Sequence, residues 1–182
     1  MCMKNSFYVR ILVVFLALVG FGWSASAQDD AFNRGDFVIN AGVGLGTYIS
    51  YSGYSNSLLP ITASAEYGIL DLFDGKAGVG VGGYLAYTSF SHKVTDKWNV
   101  GNMIVGARVI FHYQFVEKLD TYAGVMAGYN IVSYSHSDNL AGSTFYPTTF
   151  AGARYYLAQN IGVFSEVGYG VSPLQVGLTI KF

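Results

Sequence analysis

The feature that most constrains this sequence is a strict alternation of apolar and polar residues within several segments. It is clearest in the last nine residues, 174–182, where every second side chain is apolar. Successive side chains of a β-strand point to opposite faces, so a period of two predicts a strand with one apolar and one polar face. The apolar face of this last strand carries Leu174, Val176, Leu178, Ile180 and Phe182.

Similar segments recur along the chain and predict eight strands. They lie at residues 35–50, 60–70, 76–91, 99–115, 120–134, 145–157, 160–169 and 173–182. The connections between them alternate in character. Short turns are expected at 71–75, 116–120 and 158–160, longer loops at 51–59, 92–98 and 135–143, and a tighter fourth connection at 170–172. An even number of strands with short turns at one end and longer loops at the other is typical of outer-membrane barrels.

The charged residues in the middle of these strands all fall on the polar face. They are Glu66, Arg108, Arg154, Glu166 and Lys181. A soluble barrel has an apolar inside and a charged outside, because its exterior meets water. A barrel in a membrane reverses this, since an Arg or Lys that faces lipid costs about 2–4 kcal/mol at mid-membrane. The sequence therefore predicts an all-β fold, an eight-stranded antiparallel up-and-down transmembrane β-barrel.

Aromatic residues support the same fold, because those on the apolar face gather near the strand ends. Outer-membrane barrels carry such aromatic girdles where their exterior crosses the two membrane interfaces. The girdle toward the short turns would contain Phe37, Tyr67, Phe115, Tyr155 and Phe182, and the girdle toward the loops Tyr87, Tyr129 and Tyr169.

The first 27 residues have the features of a secretory signal peptide. Basic residues precede an apolar run at 11–21, and the Ala-Ser-Ala at residues 25–27 matches a cleavage site. The run is shorter than the roughly 20 residues of a membrane-spanning helix. We expect residues 1–27 to be removed and residues 28–182 to form one barrel domain. Cys2 is the only cysteine and would leave with the signal, so no disulfide or thiolate metal site is expected.

The polar strand faces predict what fills the barrel. Eight strands enclose a space just wide enough for side chains. Glycines at alternate positions 42–46 and 78–82 lie on the inward face and leave room for longer side chains from other strands. We therefore expect a polar network in the lumen, in which carboxylates pair with basic groups. Its expected members are Glu66, Arg108, His112, Arg154, Glu166 and Lys181.

These features together resemble the small eight-stranded outer-membrane barrel domains of the OmpA and OmpX type. The resemblance covers the signal, the eight alternating strands, the inward Arg and Glu, and a last strand that ends on Phe182. It implies the outer membrane of a Gram-negative bacterium and contact with outer-membrane lipids, including lipopolysaccharide. It also implies insertion by the barrel assembly machinery, which is thought to recognise a last strand such as residues 174–182. It implies no single activity and no cofactor.

The sequence leaves several functions open. A structural or surface-interaction barrel is favoured by loops rich in Tyr, Ser and Asn, through which an extracellular ligand would bind. A narrow passage for small or apolar solutes is the alternative, and the net charge of −1 argues against nucleic acid. The inward residues that would line such a passage are Tyr84, Phe90, Tyr122, Met126 and Tyr134.

A lipid-modifying enzyme is a third hypothesis, because two loops carry the residue types of a hydrolytic site. These residues are Ser91, His92 and Asp96 in one loop and Ser135, His136 and Asp138 in the other. The two histidines are also potential metal ligands. Residue types do not establish geometry, so we predict no catalytic residue and no metal site.

Overall fold

The computed structural model describes residues 31–92, 99–134 and 140–182, with only the backbone described at 140 and 141. Among these residues, no helix is long and apolar enough to cross a membrane. The described part is built from β-strands. They are β1 Phe37–Gly44, β2 Tyr54–Leu72, β3 Ala77–His92, β4 Asn99–Val116, β5 Leu119–Tyr134, β6 Leu140–Phe145, β7 Thr148–Tyr156, β8 Ile161–Tyr169 and β9 Leu174–Lys181.

The strands pair antiparallel and close into a barrel, with β1 joined to β9. β6 and β7 both pair with β5, β6 along its last residues and β7 along its first, so together they make one barrel strand. This strand is interrupted at Tyr146 and Pro147, because proline has no N–H to donate to the ladder. The prediction of an eight-stranded antiparallel barrel is confirmed.

Side chains alternate across the barrel wall in the predicted sense. Val109, Val125 and Leu178 are 53%, 57% and 54% exposed on the exterior, while the intervening side chains point inward. Ile104 and Ile110 break the polar pattern of the inner face and are buried there. The aromatic residues assigned to the two girdles all lie on the exterior, from Phe37 at 38% exposed to Tyr169 at 70%.

The strands differ in height, which the sequence did not predict. β1 ends at Gly44 rather than at residue 50, and Gly46 adopts a left-handed φ of 87° in the loop that follows. β2 begins at Tyr54, inside the loop expected at 51–59, because its first residues pair with the end of β3. Residues 140–143, also expected in a loop, likewise belong to a strand that pairs with β5.

As a result, one side of the barrel rises above the other at the end that carries the longer connections, called here the loop end. We call the raised part the outer wall. It consists of residues 54–60, 85–92, 99–105, 129–134 and 140–145. The opposite end carries the short connections and is called the turn end.

Candidate functional site: the barrel interior

Four charged or ionisable side chains meet inside the turn-end half of the barrel. Arg154 Nη2 donates to Glu66 Oε2 at 2.5 Å, and Arg154 Nη1 donates to Asp120 Oδ2 at 2.8 Å. His112 Nδ1 lies 2.9 Å from Asp120 Oδ1, and its Nε2 pairs with Glu66 Oε1. Each of the four is at most 3% exposed. Arg154 on β7 and Glu66 on β2 come from opposite sides of the barrel, so their contact crosses the lumen.

A second ion pair lies nearer the loop end. Arg108 Nη2 donates to Glu166 Oε2 at 2.7 Å, and both side chains are at most 5% exposed. The Arg108 guanidinium also lies 3.5 Å from the centroid of the Phe150 ring, a cation–π contact. Gln175 Nε2 donates to Glu166 Oε1 at 3.4 Å. This pair joins β4 to β8 across the interior.

The buried groups balance in number. Three carboxylates, those of Glu66, Asp120 and Glu166, face two guanidinium groups and the imidazole of His112. Both ring nitrogens of His112 face carboxylate oxygens, and a doubly protonated imidazole donates from both positions. Three positive groups then match three negative ones, which is the condition under which buried charges are tolerated.

Inward glycines accommodate the larger interior side chains. A Cβ added to Gly152 would lie 2.6 Å from the Tyr122 ring, and one added to Gly124 would lie 2.6 Å from the Phe150 ring. A Cβ on Gly80 would overlap the Glu66 carboxylate. The rings and the ion cluster therefore occupy space that any other residue at these positions would fill.

Open space in the interior is unevenly distributed. Beside Arg108 and Glu166 lies a cavity of about 10 Å³, which is room for about one water molecule. A larger cavity of about 340 Å³ lies at the loop end, beneath the loop over residues 45–53. Its described lining is uncharged and largely aromatic or aliphatic, and includes Tyr51, Tyr54 and Phe90. The Tyr51 hydroxyl donates to Asn102 Oδ1 at 2.8 Å, and burial raises the pKa of this phenol.

Five of the six residues assigned to the lumen network lie in these two buried groups, and the sixth lies apart. Lys181 faces inward but lies at the turn end, where its Nζ is 3.5 Å from Asp36 Oδ2 and donates to the Ala31 carbonyl at 3.4 Å. It is the last residue of β9.

Asp120 is a member of the ion cluster that sequence reasoning missed. The sequence placed it at the boundary between the turn 116–120 and the strand 120–134, and it is the second residue of β5 and only 1% exposed. A signal was present, because Asp120 is in phase with the inward residues Tyr122 and Met126 at a period of two.

The residues named for a passage lie partly in the interior. Tyr84, Phe90, Tyr122 and Met126 are buried there, whereas Tyr134 is 41% exposed at the loop end. Tyr84 does not line an open path, because its hydroxyl donates to Gln175 Oε1 at 3.0 Å from across the lumen.

The residues named for catalysis or metal binding are not assembled in the described part of the chain. Ser91 and His92 lie at the loop end of β3, and the His92 ring packs edge-on against Tyr54 with 5.1 Å between centroids. Asp96, Ser135, His136 and Asp138 lie outside the described residues. Within the described ranges, no group of three His, Cys, Asp or Glu side chains could hold a metal ion.

The apolar residues of the last strand lie on the barrel exterior, and its final aromatic meets the first strand. Phe37 N donates to Phe182 O at 3.2 Å, and Phe182 N donates to Phe37 O at 2.8 Å. The two rings lie 6.3 Å apart between centroids. The backbone ladder that closes the barrel thus continues to the last residue of the sequence.

Comparison with known proteins gives matches by structure only. No protein-family model matches this sequence, and no curated protein does. OprG of Pseudomonas aeruginosa matches with a TM-score of 0.58 at 13% identity, covering 85% of this chain and 99% of that one. Neisserial surface protein A matches with a TM-score of 0.57 at 17% identity, covering 82% and 100%.

A third solved structure is that of Ail, the attachment invasion locus protein of Yersinia pestis, in complex with the heparin analogue sucrose octasulfate. It matches with a TM-score of 0.52 at 13% identity, covering 82% of this chain and 99% of that one. At these identities the likeness establishes a common fold.

Proposed function

We propose that this chain, which has the fold of the small eight-stranded outer-membrane β-barrels, is a non-conducting barrel of the Gram-negative outer membrane that acts through its external face. Its role is structural or one of surface interaction. In this orientation the turn end faces the periplasm and the loop end faces outward, as short periplasmic turns and longer external loops require.

The observation that carries the proposal is the ion pair between Arg154 and Glu66, which crosses the lumen at 2.5 Å. A solute could pass only by separating this pair and displacing the second pair of Arg108 and Glu166. Separating a buried ion pair leaves charges without partners, which costs about 3–5 kcal/mol. Steady conduction is therefore not expected.

The outer wall and the loop-end cavity support a surface-interaction role. The outer wall and the loop over residues 45–53 contain no Lys, Arg, Asp or Glu and are rich in Tyr, Ser and Asn. Tyr supplies rigid contact area at low entropic cost, and Ser and Asn supply adaptable hydrogen bonds, as in antibody binding loops. We propose that an extracellular ligand bound here is uncharged, in contrast to the sulfated compound bound by Ail.

Two further partners follow from the exterior. The aromatic girdles and the charge-free band between them fit outer-membrane lipids, with lipopolysaccharide at the loop end. We propose that the apolar face of residues 174–182 is the segment recognised by the barrel assembly machinery. The pairing of Phe182 with Phe37 at the closing seam supports this proposal.

Recording from planar bilayers tests the closed lumen. The purified barrel should give no steady channel, whereas a variant carrying Arg108→Ala, Arg154→Ala and Glu66→Ala should give detectable openings if it folds. Faster migration of the unboiled protein on a detergent gel verifies folding in both samples. A reproducible open state of the unmodified barrel would contradict the proposal and favour the narrow passage for small solutes.

A further inference from the structure

We propose that residues 31–36 form a stopper that closes the turn end of the lumen. This inference rests on the proposed function, because it assigns closure of the periplasmic mouth to one segment of the chain. The stopper precedes β1 and turns back beneath the barrel instead of leading away from it. Its contacts with β2, β4 and β9 place it there.

Phe32 is the part of the stopper that enters the lumen. Its side chain is 4% exposed, and its ring stacks on the His112 imidazole with 3.8 Å between centroids and 18° between planes. His112 belongs to the ion cluster, so the ring covers that cluster from the turn end. An aromatic residue in an otherwise polar segment is thereby removed from water.

Ala31 bridges the mouth from one side of the barrel to the other. Its amide N donates to Gln114 Oε1 at 2.9 Å, and its carbonyl accepts a hydrogen bond from Lys181 Nζ at 3.4 Å. Gln114 is on β4 and Lys181 is on β9, and these strands lie opposite each other. Ala31 itself is 2% exposed.

The remaining residues of the stopper bind β2. Arg34 N donates to Asp71 Oδ1 at 2.6 Å, and Gly35 N donates to Gly68 O at 2.9 Å. Gly68 N in turn donates to the Asp36 carbonyl at 2.9 Å. The stopper thus contacts β2, β4 and β9.

Two glycines of the wall leave room for the stopper. A Cβ added to Gly68 would overlap the Asn33 carbonyl oxygen, and one added to Gly78 would lie 3.4 Å from Phe32 Cδ1. This fit between segment and wall distinguishes a docked stopper from a chain that merely passes the barrel mouth.

Thiol labelling tests the stopper. Thr179 faces inward two residues before Lys181 on β9 and is 0% exposed, so a Thr179→Cys reporter lies on the lumen side of the stopper. The only natural cysteine, Cys2, is in the expected signal peptide, so the mature reporter protein should carry one thiol. A charged, water-soluble thiol reagent should label it slowly, and at least about tenfold faster when residues 31–33 are all replaced by glycine, because thiol reactivity requires exposure.

The matched control is Tyr155→Gly, which removes an exterior aromatic at the same end and should leave the labelling rate unchanged. A second variant, Gly68→Ala, alters the wall and leaves the stopper sequence unchanged, and its new Cβ displaces the stopper at Asn33. Gly83→Ala is its exterior control, because the nearest atom to a Cβ at Gly83 is 4.0 Å away. Gly68→Ala should accelerate labelling and Gly83→Ala should not. Detergent-gel migration before boiling shows that each variant is folded.

Equal labelling rates with and without the stopper would overturn this inference, as would rapid labelling of the reporter in the otherwise unmodified protein. Conductance separates it from the proposed function. A closed barrel with rapid labelling would overturn the stopper alone, whereas a conducting barrel would overturn the proposed function together with the stopper.

Discussion

At the scale of single residues, Arg154 is the side chain that links several strands through the barrel interior. It donates to Glu66 on β2 and to Asp120 on β5, and its guanidinium lies 4.4 Å from the centroid of the Tyr122 ring. Buried charges of this kind are stable in the interior only as a set, because each compensates the desolvation of the others. Removing one member therefore costs more than the interaction itself contributes.

Arg154→Met should lower the free energy of unfolding by about 3–5 kcal/mol, since Glu66 and Asp120 would keep their burial and lose a positive partner. Urea titration of the barrel refolded in lipid vesicles measures this loss. Lys181→Met is the control and should cost less than about 1 kcal/mol, because its pair with Asp36 is longer, at 3.5 Å, and more exposed. Comparable losses for the two variants would contradict the assignment.

A glycine substitution tests the steric match between the inner face and its aromatic rings. Gly152→Val should destabilise the barrel by about 1–3 kcal/mol, because the new side chain overpacks against the Tyr122 ring. Gly83→Val, on the exterior, should be neutral or stabilising, since Val suits an open strand position. Unfolding midpoints of the two variants give the comparison, and a tolerated Gly152→Val would disprove the fit.

At the scale of strands, the wall is defined by what each face meets and by how far each strand extends. The exterior of the barrel strands is apolar and the interior holds the charges, so the two faces of one strand experience opposite solvents. The position along the strand then decides how much an exterior charge destabilises the barrel. This destabilisation is largest at mid-membrane and smallest at the interface.

Two exposed valines of β4 isolate this effect of depth. Val109, near the middle of the strand, is 53% exposed, and Val116, at its turn end, is 57% exposed. We expect Val109→Arg to cost about 2–4 kcal/mol and Val116→Arg about 0–1 kcal/mol. Unfolding titrations in vesicles measure both. Equal costs would indicate that the exterior of β4 does not lie in hydrocarbon.

The last strand allows a test that separates assembly from stability. Phe182→Ser should reduce insertion in cells, if the final aromatic is read by the barrel assembly machinery, while leaving refolding of the purified protein into vesicles largely intact. Phe115→Ser, which removes another aromatic at the same end of the barrel, should not reduce insertion in cells. Normal insertion of Phe182→Ser would remove the assembly role of this residue.

At the scale of the whole molecule, the barrel is closed by backbone pairing around its circumference and by ion pairs across its diameter. Pairing of β1 with β9 completes the circumference, and the pair of Arg154 and Glu66 joins opposite walls. The two kinds of contact depend on each other, because the ion pairs form only when the circle is complete. We therefore expect one cooperative unit with a high barrier to unfolding.

Migration on a detergent gel measures this cooperativity. The folded barrel should migrate faster before boiling than after it, with no intermediate bands. Samples heated in steps should convert over a narrow temperature range, and the range for Arg154→Met should lie lower than that of the unmodified protein. A gradual conversion through several bands would show that the barrel opens in parts.

The alternation of residues determined the strands and their facing, because a period of two fixes which face each side chain occupies. The charges on that pattern also determined which face turns inward, since hydrocarbon excludes ionised groups. Glu66, Arg108, Arg154 and Glu166 could be placed in the interior on this basis alone.

The tertiary structure decided which charged side chains pair, how far each strand extends and what covers the turn end. Which acid meets which arginine depends on barrel order and register, and these put Arg154 opposite Glu66 and brought Asp120, expected at the edge of a turn, into the same ion cluster. The outer wall exists because residues 54–59 pair with β3, a contact between segments that local periodicity does not encode. The stopper depends on three strands that meet only in the closed barrel, so residues 31–36 carried no readable signal of their own.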